Sequence, residues 1–95
     1  MALFWKRFLR LTRGRISTLH AMEIIRDEES DTSLKQTISS VIKTIEQGSS
    51  LSEALAKHPS EFSPFVAELI KSAEKSGAWD EILQEIANGL EEGTF

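Results

Sequence analysis

Four carboxylates fall within five residues, Asp27, Glu28, Glu29 and Asp31. Oxygen donors at this density can hold a hard cation such as calcium. They lack the alternating acidic spacing and the glycine of an EF-hand loop, so a solvated acidic helix end is the simpler reading. The two histidines offer general-base chemistry by type only. His20 falls at the polar edge of a helix and His58 precedes a proline in a connection, so each reads as a solvated or capping side chain, and no spacing pairs a base with a nucleophile. Ser49, Ser50, Ser52 and Ser63 are nucleophiles by type, but helix capping explains them more simply. Gly48 is isolated and no Gly-Lys-Ser/Thr follows it, which excludes a phosphate-binding P-loop. With no cysteine, a disulfide framework and a cysteine-based zinc site are excluded as well. The sequence therefore nominates no catalytic group, no cofactor and no metal.

The charge distribution is more informative. Lys6, Arg7, Arg10, Arg13 and Arg15 give +5 in the first fifteen residues, with no acid among them. The remaining eighty residues carry six basic and fifteen acidic side chains, a balance of −9 within a net charge of −4. An acidic body repels phosphates, so nucleic-acid binding would rest on the first helix alone. That basic helix admits several readings. It is a core helix with a cationic outer face, or a surface attracted to anionic lipid headgroups, where each basic residue contributes about 1 kcal/mol. It is alternatively a docking surface for an acidic patch on a partner, or one half of a homodimer in which it meets the acidic flank of a second protomer. Its apolar side is needed by the fold, so Phe4 and Phe8 cannot enter lipid without loss of core packing.

Helices must position these groups, because every segment shows helical periodicity and none shows the alternation of a strand. The first is expected over 2–13, with Phe4, Trp5, Phe8, Leu9 and Leu11 on one side, Lys6, Arg7, Arg10 and Arg13 on the other, and Gly14 ending it. Ser17 caps a second to about Glu29, burying Leu19, Met22 and Ile25 with help from Ala21 and Ile24. A third, about 32–47, begins where the acidic cluster favours an N-terminus and carries the stripe Leu34, Ile38, Val41, Ile42 and Ile45. A fourth, Leu51 to Lys57, follows a capping box formed by Ser50 and Glu53. Ser63-Pro64 opens a fifth, which presents Val66, Leu69, Ile70 and Ala73 and closes at Gly77. Asp80 and Glu81 lie in the first turn of a sixth, from Trp79 to about Glu91, with Ile82, Leu83, Ile86 and Leu90 on its apolar face. Ninety-five residues make one domain, 1–95, with a single core. Six short amphipathic helices on short connections imply an all-α bundle of mostly antiparallel neighbours. No run of eighteen apolar residues is present, and the N-terminus mixes arginines through its apolar residues, unlike a secretory signal.

The order of these signals resembles one family. Gly48-Ser49-Ser50-Leu51-Ser52-Glu53-Ala54-Leu55, then His58-Pro59, Phe62-Ser63-Pro64-Phe65-Val66, Leu69-Ile70, Glu74, Ser76-Gly77, Asp80-Glu81-Ile82-Leu83 and Ile86-Ala87 are similar to the type II secretion system F domain. Leu19 to Ile25 and the opening Leu3-Phe4-Trp5-Lys6-Arg7-Phe8 resemble further segments of it. The chain departs from the family pattern where Gly14 precedes Arg15 at the usual glycine position, where Ser17 replaces a common proline, and at Trp79-Asp80. The resemblance implies a compact antiparallel six-helix bundle without enzymatic activity or cofactor. It implies a module at the cytoplasmic face of the bacterial inner membrane, within the platform of a type II secretion or type IV pilus assembly machine. Its partners would be the assembly ATPase and other inner-membrane components. Platform proteins typically carry two copies of the domain and several transmembrane helices, whereas this chain has one copy and none, as an excised domain or a stand-alone relative would. The alternative is a free-standing peripheral membrane-surface or adaptor protein that uses the basic first helix.

Overall fold

Each helix begins and ends where local chemistry can satisfy its free backbone groups. The computed structural model describes residues 1–93, which form α1 (Ala2–Arg13), α2 (Thr18–Glu28), α3 (Thr32–Glu46), α4 (Leu51–Ala56), α5 (Pro64–Ser76) and α6 (Trp79–Glu92). Among the described residues there is no strand. Ser17 accepts from the His20 amide, Asp31 from Ser33 and Leu34, and Ser63 from Val66, each closing an N-terminus. Ser50 and Glu53 form the full reciprocal capping box. Gly77 closes α5 at φ 79°, a conformation that glycine adopts without steric cost.

The first connection differs from expectation. Gly14 ends α1 at φ −79°, and the left-handed turn falls one residue later, on Arg15 at φ 64°. Arg15 is the residue at the usual glycine position, so the backbone keeps the turn and an arginine carries the strain. A non-glycine residue there costs about 1 kcal/mol. Arg15→Gly is therefore expected to raise stability by about 0.5–1 kcal/mol, and the melting temperature by about 5 °C, in a thermal melt followed by circular dichroism. A lower melting temperature would show that the Arg15 side chain contributes more than its backbone costs.

The six helices close into a ring. Each packs on its neighbours in the chain, and α1 packs along α6, the most extensive of these pairings. Ion pairs Lys6–Glu91 and Arg13–Asp80 run in opposite order along α1 and α6, and Ser52–Glu74 links the start of α4 to the end of α5. Both pairs of helices are thus antiparallel. The result is nearly isotropic, 26 × 26 × 25 Å.

The ring encloses one hydrophobic core, and its densest part is aromatic. Phe4, Trp5 and Phe8 from α1 meet Phe62 from the α4–α5 connection, with ring centroids 5.0–6.3 Å apart. Most contacts are edge-to-face, the arrangement favoured by the ring quadrupoles. The predicted stripes are recovered with a shift in depth. Met22, Ile25, Ile38, Val41, Ile42, Val66, Ile70, Leu83 and Ile86 are buried, while Leu11, Leu19, Leu34, Ile45, Leu69, Trp79, Ile82 and Leu90 lie partly exposed against them. Ala21, Ala67 and Ala87 sit deeper than several of these, because small residues occupy the lines where helix backbones approach closely. Buried Thr37 donates to the Glu61 carboxylate and buried Thr44 to the carbonyl of Ser40 in its own helix, so neither hydroxyl is left unpaired.

Candidate functional site

The acidic cluster does not converge on a point. Glu28 takes Arg7 of α1, Asp27 takes Arg26, Glu29 accepts from the Asp31 amide, and Asp31 caps α3. The helix end fans these carboxylates toward separate donors. Among the described residues no group of three acids, histidines or cysteines is arranged to hold a metal ion.

The serines and histidines are structural links, and two of them depart from the expected pattern. Ser50 and Ser63 cap helices as expected. Ser52 instead donates its hydroxyl (2.5 Å) and its amide (3.1 Å) to Glu74, tying α4 to α5 through a carboxylate twenty-two residues away. Hydrogen bonds from the Ser50 backbone, and then its side chain, hold the Glu53 carboxyl below the usual carboxylate range. Ser50, Ser52, Glu53, Lys71, Glu74 and Lys75 line a hollow of about 460 Å³ in which charges of both signs are interleaved. His58 Nε2 lies 3.1 Å from Ser40 Oγ, a histidine–serine contact between residues far apart in the chain. The pair is exposed, and among the described residues no carboxylate hydrogen-bonds the ring to orient it as a catalytic base would require. His20 sits on the surface, 3.6 Å from Glu23.

The basic residues of α1 do not form one face. Arg7 turns toward α2 and pairs with Glu28. Lys6 and Arg13 turn toward α6 and pair with Glu91 and with Asp80, the latter at 3.7 Å. Arg10 stands between these two, exposed, and Arg15 lies in the connection; among the described residues neither has an ionic partner. The cationic side of α1 is therefore partly paired, by Glu28 on one flank and by Asp80 and Glu91 on the other. What remains open is the Lys6–Arg10–Arg13 stripe, which with Leu9 and Gln84 lines a shallow groove of about 320 Å³. The apolar side of α1 is used entirely by the core, with Trp5 and Phe8 fully buried and Phe4 and Leu9 nearly so. Chemically this surface can bind anions by charge and hydrogen bonding.

Comparison with known proteins gives a consistent result along nearly the whole chain. Residues 4–94 match the family described as type II secretion system (T2SS), protein F. The chain is 24% identical over 87 residues to the type IV pilus assembly protein TapC of Aeromonas hydrophila, an alignment covering 92% of this chain and 21% of that protein. It is 25% identical over 91 residues to the type IV pilus assembly protein PilC of Thermus thermophilus, covering 96% of this chain and 22% of the relative. It is 25% identical over 84 residues to PilC of Myxococcus xanthus, covering 88% and 20%. The chain thus spans about a fifth of the length of these curated relatives.

Proposed function

Because this chain belongs to the type II secretion system protein F family, we propose that it is a non-enzymatic protein-interaction module of the inner-membrane platform in a type II secretion or type IV pilus assembly machine. In this reading it lies at the cytoplasmic face of the membrane and docks the assembly ATPase and neighbouring inner-membrane components. The observation that carries the reading is the family match, which runs from residue 4 to residue 94 and so passes through every helix. The names of the relatives, pilus assembly proteins, support the setting. Physical features fit the role. A ring of helices closed by α1 on α6 is stiff enough to pass a load between partners, and its interior is filled, so any work is done on the outer face. Among the described residues no helix is long and apolar enough to cross a membrane.

Isothermal titration of the purified chain with the cognate assembly ATPase tests this directly. Saturable binding is expected. Absence of binding by both the free chain and the chain tethered to vesicles would overturn the docking role. The membrane-surface alternative is tested by co-sedimentation with phosphatidylglycerol vesicles. Strong, salt-sensitive binding lost on changing Arg7, Arg10 and Arg13 to Glu would favour that alternative. Weak binding is expected, because the aromatic side chains of α1 are taken by the core and its cations are flanked by Asp80 and Glu91.

A further inference from the structure

Lys6, Arg10 and Arg13 stand at i, i+4 and i+7 of α1, one cationic stripe roughly 10 Å long on a helix rising 1.5 Å per residue. The stripe borders the groove that contains Leu9 and Gln84 along the seam between α1 and α6. We propose that this groove docks an acidic helical segment of a partner protein, whose carboxylates repeat at the same spacing. The proposal rests on reading the chain as an interaction module and adds the chemistry of what that module holds.

Three features select this occupant. Arg10, at the centre of the stripe, has no ionic partner among the described residues, although acids outnumber bases fifteen to eleven in the chain. The cations on either side of it are held only by exposed pairs, with side chains 45–60% accessible in Lys6–Glu91 and Arg13–Asp80. Such pairs are worth little in water and can be exchanged for an incoming carboxylate. Finally, α6 already meets this stripe as an antiparallel helix bearing acids at Asp80 and Glu91, so a second acidic helix repeats a geometry the fold itself uses. A lipid surface fits less well. Phe4, Trp5 and Phe8 point inward, so the aromatic rings of α1 cannot anchor in it. Nucleic acid is opposed by the −9 balance of the remaining chain.

The test uses a synthetic alanine-based peptide of about 15 residues, long enough to hold a helix, with glutamates at i, i+4 and i+7. Its binding is followed by fluorescence anisotropy and mapped by amide shift changes in the full chain. Salt-sensitive binding centred on Leu9, Arg10, Arg13 and Gln84 is expected, weakened about tenfold by Arg10→Glu and lost when the peptide carries glutamine for glutamate. Arg10→Glu should leave the thermal melt in place, since Arg10 is exposed and has no ionic partner to lose. No binding, equal binding by the variant, or shifts centred elsewhere would overturn the proposal. So would Arg10-dependent binding that is tighter to phosphatidylglycerol vesicles than to the peptide, or a dimer that Arg10→Glu dissociates; these outcomes assign the groove to lipid or to a second copy. Loss of peptide binding with ATPase binding intact removes the groove alone, and the reverse pattern removes the ATPase role alone.

Discussion

Trp5→Ala is expected to lower the stability of this fold by about 3–5 kcal/mol, the range for removing a fully enclosed large aromatic. Trp5 has no exposed surface and touches Phe4, Phe8 and Phe62 at centroid distances of 5.0, 5.6 and 6.0 Å. Its ring is the only element shared by all the edge-to-face contacts within α1, so its loss removes contacts as well as transfer energy. The surrounding atoms cannot collapse fully, because α1 is held along its length by α2 and α6. A domain of this size has a total stability on the order of 5–15 kcal/mol, so about a fifth of it or more would go. Urea unfolding followed by far-ultraviolet circular dichroism reads the change, with Trp79 retained as a fluorescent reporter. The midpoint should fall while the slope stays constant. Leu3→Ala, on a side chain 67% exposed in the same helix, should change stability by less than about 0.5 kcal/mol. A Trp5→Ala loss as small as the Leu3→Ala one would mean that the aromatic cluster does not anchor the ring.

What the sequence made legible was mostly local. Ser50 with Glu53, Ser63 before Pro64, and Gly77 are capping chemistry within four residues, and all three punctuate the chain where expected. The helix count followed, because short connections and 3.6-residue periodicity need no knowledge of neighbours. Depth within the core was less visible. A helical wheel ranks Leu69 above Ala67, yet the line where two helices touch favours the smaller residue. Ile24 was expected to help bury α2 and lies half exposed, outside the core cluster. The ion pairs made by the basic helix were hidden for the same reason. Whether Arg7 and Lys6 share a surface depends on which helices flank α1, and these place Glu28 on one side and Glu91 on the other. Ser52 with Glu74, and Ser40 with His58, join residues twenty-two and eighteen positions apart, a pairing that only the packing of neighbouring helices creates. Gly14 ends α1 as expected, but the left-handed turn on Arg15 had no local signal, since nothing in an arginine favours a positive φ.

Phe62→Ala tests the one core residue that periodicity had no means to find, since it sits in a connection with no helical repeat. Phe62 is 2% exposed and packs on Phe4 at 5.4 Å and Trp5 at 6.0 Å. The segment around it is otherwise held by polar links. Thr37 donates to Glu61 at 2.8 Å, and the amide of Phe62 donates to the carbonyl of His58 at 2.9 Å. These bonds fix where the connection runs, but they are partly solvated and each contributes only about 1 kcal/mol. The ring of Phe62 is what fastens the connection to α1, so its loss is expected to cost about 3 kcal/mol, at the lower end for a buried phenylalanine because a connection relaxes more readily than a helix. Combined with Trp5→Ala, the losses should fall short of their sum by about 0.5–1.5 kcal/mol, the coupling expected of a direct aromatic pair. Amide hydrogen exchange supplies the structural readout. In Phe62→Ala the first turns of α1 and α5 should exchange faster than the middle of α3, because the anchor between them is gone and α3 retains its own core contacts. Additive losses and uniform exchange across all helices would instead mean that Phe62 fills space without joining α1 to the α4–α5 corner, and the ring would then be held closed by the α1–α6 seam alone.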